Sequence, residues 1–164
     1  MKRGKTEPPI PIRRMLVIME GAQSKRCHEC QPHEIFDPVR YIEHTMPKHV
    51  KDFTFHYDED DPVFRQAPTT KAYVDVRNGI ILVMRESVYE AAYRGDPQSR
   101  FILSHEIGHV FLHRRSGKVL ARHSLSSTER NKVNKKNELE ASLFGGTLLV
   151  PPAGTGESRL ELRE

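Results

Sequence analysis

The sequence contains no tryptophan and only two cysteines, and aromatic residues make up 7% of it. Two cysteines cannot build a multi-disulfide framework, which excludes the stapled scaffolds of small secreted proteins. Cys27 and Cys30, spaced Cys-x-x-Cys, read instead as reduced thiols or as half of a metal site. No apolar run approaches the roughly 18 residues of a membrane span. The basic N-terminus precedes only the short piece MLVIM, not the apolar core of a signal peptide. A cytoplasmic protein without a membrane partner is the expectation.

Charge of one sign is also scarce. The net charge is +4 over 164 residues, too mild to mark a nucleic-acid binder. No helix-turn-helix is evident, and the basic stretch from Arg114 to Lys136 lacks interleaved aromatics, so direct nucleic-acid binding is not expected. That stretch and the acidic run Asp58, Glu59, Asp60, Asp61 read as solvated surface. With 37% hydrophobic residues the chain lies outside the compositional range of disorder and suits one domain with a single core.

Residues 1–33 are basic and proline-rich and read as an arm with at most one short strand; 34–152 is the folded domain; 153–164 is a frayed tail. Asp37-Pro38 supplies a cap and a first-turn proline for a short helix that Pro47 stops. FTFHY, 53–57, alternates as a strand does. KAYVDV and IILVM flank Arg77-Asn78-Gly79, which predicts a β-hairpin over 71–84 closed by a type I′ turn. Residues 86–94 predict a helix ended by Gly95. Asp96-Pro97 opens a longer helix, about 97–114, ended by Gly117. A polar loop over 116–130 precedes a last helix, from 129 or 131 to 149.

The longer helix carries SHEIGHVFLHR. Four residues along a helix turn a side chain by about 40° and advance it about 6 Å, so His105 and His109 project from one face and two nitrogens can meet one ion. Glu106, about 100° round the helix, can reach water held there without being a ligand. This is the His-Glu-x-x-His arrangement of zinc proteases, in which neutral imidazoles bind zinc and a neighbouring carboxylate moves the proton of the attacking water. Five positions with three fixed residues recur by chance. The surrounding Phe101, Ile102, Ile107, Val110, Phe111 and Leu112 predict a buried helix, however, where unpaired imidazoles would be costly. His113 lies one turn further, too far for three donors at this spacing to converge, and reads as a helix-end residue. A third ligand must come from elsewhere, and Glu138 or Glu140, interrupting the apolar pattern of NELEASLFGGTLLVPP, offers one. Two imidazoles and one carboxylate make a catalytic zinc set.

HEIGHVFLH followed by ELEASLFGGTLLVP resembles the ImmA/IrrE family of metallopeptidases over about residues 72–152. The resemblance implies an α+β fold: a compact zincin-like metallopeptidase domain, with a small sheet whose β-hairpin packs on the HExxH helix and a following helix that bears the glutamate ligand. Carried over by position, it implies one zinc ion held by His105, His109 and Glu138, with Glu106 as the catalytic base. Glu138 is favoured over Glu140 because related families place the ligand four residues before an acid or amide that steadies a zinc histidine. Here Ser142 holds that later position, so its bond to an imidazole is expected to be weaker or water-mediated. Gly145 stands where the family has alanine and Val150 where it has methionine. The sequence also ends soon after the Leu-Leu-x-Pro signature, which leaves the expectation of an incomplete cleft.

Tyr93, Arg122 and His123 are candidates to steady an oxyanion, and strand 71–76 could take an extended peptide as an added strand. The function expected is a zinc-dependent endopeptidase acting on a protein, with a DNA-binding regulator as the substrate class the resemblance implies. The alternative is a non-catalytic, metal-stabilised interaction module of a toxin and antitoxin or mobile-element regulatory pair.

Overall fold

Three Asp-Pro pairs open helices in the same way. The carboxylate of Asp37 accepts from the amides of Val39 and Arg40 at 3.0 and 3.3 Å. That of Asp61 accepts from Val63 at 2.8 Å, and that of Asp96 from Ser99 at 2.7 Å. Each proline then takes a first-turn position, where a missing N–H costs nothing. The structure, a computed structural model, describes residues 10–114 and 127–151, the side chains of 127–134 excepted. In chain order the elements are α1 (Ile12–Glu29), α2 (Pro38–Arg40), a π-helical turn (Tyr41–Thr45), α3 (Met46–His49), β1 (Phe53–Tyr57), α4 (Pro62–Gln66), β2 (Ala72–Asp75), β3 (Ile80–Met84), α5 (Glu86–Tyr93), α6 (Pro97–His113) and α7 (Ser127–Leu149).

The class is α+β, with one small mixed sheet among helices. Its strand order is β1-β3-β2: β3 pairs antiparallel with β2 and parallel with β1, so β2 is an edge strand rather than an interior one. The hairpin over 71–84 is as expected, but its turn is not type I′. The link spans 76–79, and of these residues only Gly79 has positive φ, 104°. Asp75 shapes the link by accepting from the Arg77 amide at 2.9 Å, an Asx turn that removes any need for positive φ at Asn78.

Three other local expectations change. Residues 12–29 form α1, an 18-residue helix, in place of an arm with at most a short strand. It packs against α7 and sends Ile18 and Ala22 into the core. Pro47 does not stop the helical path. The π turn shifts the hydrogen-bond register just before it, Met46 N donating to Tyr41 O, so that Pro47 enters the first turn of α3. α4 was not anticipated, and α7 starts at Ser127. The loop expected at 116–130 and its Gly117 lie mostly outside the described residues.

α6 joins the layers, touching β2, α2, α5 and α7. Its buried Leu103, Ile107 and Val110 meet a core that includes Leu82 and Met84 from the sheet and Phe144 and Leu148 from α7. The approach of α6 to α7 is set by two glycines. A Cβ on Gly108 would stand 2.9 Å from Ala141 O, and one on Gly145 would stand 2.7 Å from His105 N. An alanine at position 145 would have no room here. Arg26 of α1, 1% exposed, donates to the carbonyl oxygens of Leu148, Pro32 and Glu34, satisfying the carboxyl end of α7. Among the described residues no helix is long and apolar enough to cross a membrane.

Candidate metal centre

The helical period of α6 and its contact with α7 bring three side chains together. His105 Nε2 and His109 Nε2 are 3.0 Å apart. Glu138 places Oε2 3.1 Å from His105 Nε2 and Oε1 3.4 Å from His109 Nε2. These residues form the one group of histidine, cysteine and acidic side chains, among those described, that could hold a metal ion. A tetrahedral zinc ion with ligands at about 2.0–2.1 Å has ligand atoms about 3.3 Å apart. The observed separations match the edges of that tetrahedron, and the donors are those zinc takes, so the residues fit the ion. His109 is buried, His105 nearly so, and Glu138 is half exposed, which leaves the cluster open to solvent on the side of α7.

Glu140 is not part of this cluster. Two residues along a helix rotate a side chain by about 200°, and Glu140 faces away from Glu138. Its Oε2 lies 3.2 Å from His113 Nε2, and Arg14 of α1 donates to it through Nε at 3.1 Å and Nη2 at 2.8 Å. Burial pushes the Glu140 carboxyl up, but hydrogen bonds from Arg14 and His113 together with their charge outweigh it and hold the group below its ordinary range. Burial pushes the His113 imidazole down, with Glu140 opposing in part.

His113 therefore does more than end a helix. It is 5% exposed, and its Nδ1 lies 3.1 Å from His109 Nδ1. Ser142 also differs from expectation: its Oγ reaches His105 Nδ1 directly, at 3.1 Å, without a bridging water. Both imidazoles of the cluster are thus gripped on the nitrogen that faces away from it. Glu106 follows His105 on α6 and is 6% exposed. Tyr93 ends α5 and is 70% exposed, while Arg122 and His123 lie outside the described residues. Cys27 is exposed, and Cys30 donates through Sγ to Arg26 O at 3.5 Å, a contact within the last turns of α1.

Sequence reasoning missed Arg14 altogether, because its partner stands 126 positions away. From the sequence Glu140 reads as the alternative third ligand and His113 as a helix-end residue. A buried acid two residues from a ligand candidate is the one signal that pointed to the pairing, since it demands a cation.

A helix with paired histidines and a glutamate, facing a second helix that adds a carboxylate, defines a protein of the metallopeptidase type. The family model of the IrrE N-terminal-like domain, Peptidase_M78, matches residues 58–158, and the chain belongs to that family. Comparison with curated proteins and with solved structures gave no match.

Proposed function

We propose that the chain is a zinc-dependent endopeptidase of zincin-like fold, in which His105, His109 and Glu138 hold the ion and Glu106 is the catalytic base. The carrying observation is the triangle of donor atoms with separations of 3.0, 3.1 and 3.4 Å. An ion held there would supply Lewis-acid chemistry toward a carbonyl group and toward water. Glu106, beside His105 on α6, is the group to take a proton from the attacking water and pass it to the departing amine. Ser142 holds the His105 ring from behind. β2, an edge strand packed on α6, offers main-chain groups with which an extended peptide can pair. The substrate is a protein, with a DNA-binding regulator as the class the family resemblance favours, and the protein acts in the cytoplasm.

The alternative, a metal-stabilised module without catalysis, gains less support. Gly108, Ala141 and Gly145 already join α6 to α7, so an ion is not needed to clasp them, and Ser142 makes the contact whose loss would have favoured that reading. The test is Glu106→Gln. The variant is expected to bind one zinc ion as the parent does and to cleave no partner protein that the parent cleaves. Equal cleavage by both would remove Glu106 from the mechanism.

A further inference from the structure

The cluster is held from behind by a chain of groups that runs through three helices. His109 Nδ1 faces His113 Nδ1 at 3.1 Å, His113 Nε2 faces Glu140 Oε2 at 3.2 Å, and Arg14 grips both oxygens of Glu140 at 3.1 and 2.8 Å. Arg14 belongs to α1, outside the segment 58–158 that the family model matches. We infer that Arg14, Glu140 and His113 are positioning residues for metal binding, acting through His109, so that α1 is a working part of the metal centre. The inference rests on the reading of His109 as a ligand.

Only one arrangement of protons satisfies every link. A ligand nitrogen must present its lone pair, so a neutral His109 with Nε2 toward the ion carries its hydrogen on Nδ1. That N–H has His113 Nδ1 to donate to, which makes Nδ1 of His113 the acceptor and puts the His113 hydrogen on Nε2. His113 Nε2–H then donates to Glu140, a carboxylate whose charge Arg14 meets through two N–H groups. Reversing the His109–His113 link would put the His109 hydrogen on Nε2, where the ion needs a lone pair, and reversing the His113–Glu140 link would set a ring lone pair against the carboxylate. The chain thus fixes the tautomer and the ring rotation of His109 and leaves more electron density on Nε2, raising its basicity as a ligand. Charge placement agrees with this: Glu140 is 3% exposed and His113 5%, while Arg14, 38% exposed, meets the solvent at the outer end. Lys136 Nζ, 4.0 Å from Glu140 Oε1, lies along the same carboxylate, yet only Arg14 can supply the two-pronged contact.

The test uses the full chain and cobalt(II) alone as the probe, with affinity measured by competition against a chromophoric chelator and the ligand field read from the visible cobalt spectrum. Arg14→Met and His113→Leu are expected to weaken cobalt binding about 10- to 100-fold and to shift the spectrum. Arg14→Lys and His113→Gln are expected to recover part of both, since glutamine can accept from His109 and donate to Glu140 at once. Melting of each metal-free variant shows whether it folds, and Arg14→Met, altering a partly exposed residue, keeps the test valid if His113→Leu does not. Parent-like affinity and spectrum in Arg14→Met overturn the inference, as does equal loss in His113→Leu and His113→Gln, which would mark simple packing. A parent that binds no cobalt, or a His109→Ala variant that binds as the parent does, overturns the ligand reading itself.

Discussion

Adjacent glycines of α7 give the sharpest check on how α6 and α7 meet. A Cβ added at Gly145 would lie 2.7 Å from His105 N and 2.8 Å from Ser104 C, whereas one at Gly146 would find Phe101 Cε2 at 3.9 Å. Both replacements by alanine gain about 1 kcal/mol of helix propensity. At Gly145 the obstacles are backbone atoms, so relief requires the helices to part by roughly 0.8–1.3 Å, given contact distances of about 3.5–4.0 Å. Overpacking of this kind costs about 1–3 kcal/mol, and rigid neighbours place it at the upper end. Gly145→Ala is then expected to lose about 1–2 kcal/mol net, lowering Tm by roughly 2–8 °C for a chain of this size, while Gly146→Ala raises it by about 2–4 °C. Thermal melts in excess chelator measure the packing term alone, without stabilisation by bound metal. Glu138 lies seven residues before Gly145, within about 20° of the same helix face, so parting the helices also opens the donor triangle. Gly145→Ala should therefore bind zinc more weakly than Gly146→Ala. If Gly145→Ala melted as high as Gly146→Ala, the close approach of the helices would be refuted, and with it the placement of Glu138 against the histidines.

Ser142→Ala removes the group 3.1 Å from His105 Nδ1 and is expected to weaken zinc binding about 10- to 100-fold; unchanged affinity by chelator competition would show that the hydroxyl does not orient the ring. Asp96, the cap of α6, has its carboxyl pKa held below the ordinary 3.8 by hydrogen bonds from Ser99. A depressed carboxyl stabilises the fold above its unfolded-state pKa, and the gain is lost as pH falls through the folded-state value. The Tm difference between the parent and Asp96→Ala should therefore be constant at neutral pH and shrink below about pH 4; a difference that persists unchanged into strong acid would show that the charge is not what caps the helix.

What the sequence disclosed about the fold was what local chemistry decides. Asn-Gly between β-branched runs marked the hairpin, and Asp-Pro marked the start of α6. Asp61-Pro62 carries the same signature, but α4 has only five residues and sits after an acidic run that reads as surface. α1 was hidden for a different reason. Arg14, Ile18, Ala22 and Arg26 stand four apart and form its inward stripe, so half of that stripe is cationic, while Ile12, Leu16, Val17 and Met19 are exposed. The usual pattern, apolar inside and charged outside, is inverted along much of the helix. Both arginines find partners on α7, distant in sequence, and no local window contains those partners.

The same division runs through the candidate metal centre. His105 and His109 come together by helical period alone, a property of any helix, so the spacing predicted their convergence. Glu138 against Glu140 is a question of how α7 is rotated about its axis, because two residues along a helix turn a side chain by about 200° and only one of the two acids can reach His105 and His109, the other meeting His113 at the end of α6. That rotation is set where α7 touches α6, at Ala141, Phe144 and Gly145, contacts that exist only once the helices have packed. It leaves Glu140 facing a side where burial would be prohibitive without a cation, and α1 brings Arg14 to it. Each of the two acids therefore requires the other's placement: turning Glu138 toward the histidines commits Glu140 to the Arg14 side, and the pairing of Arg14 with Glu140 in turn resists any rotation of α7 that would carry Glu138 away.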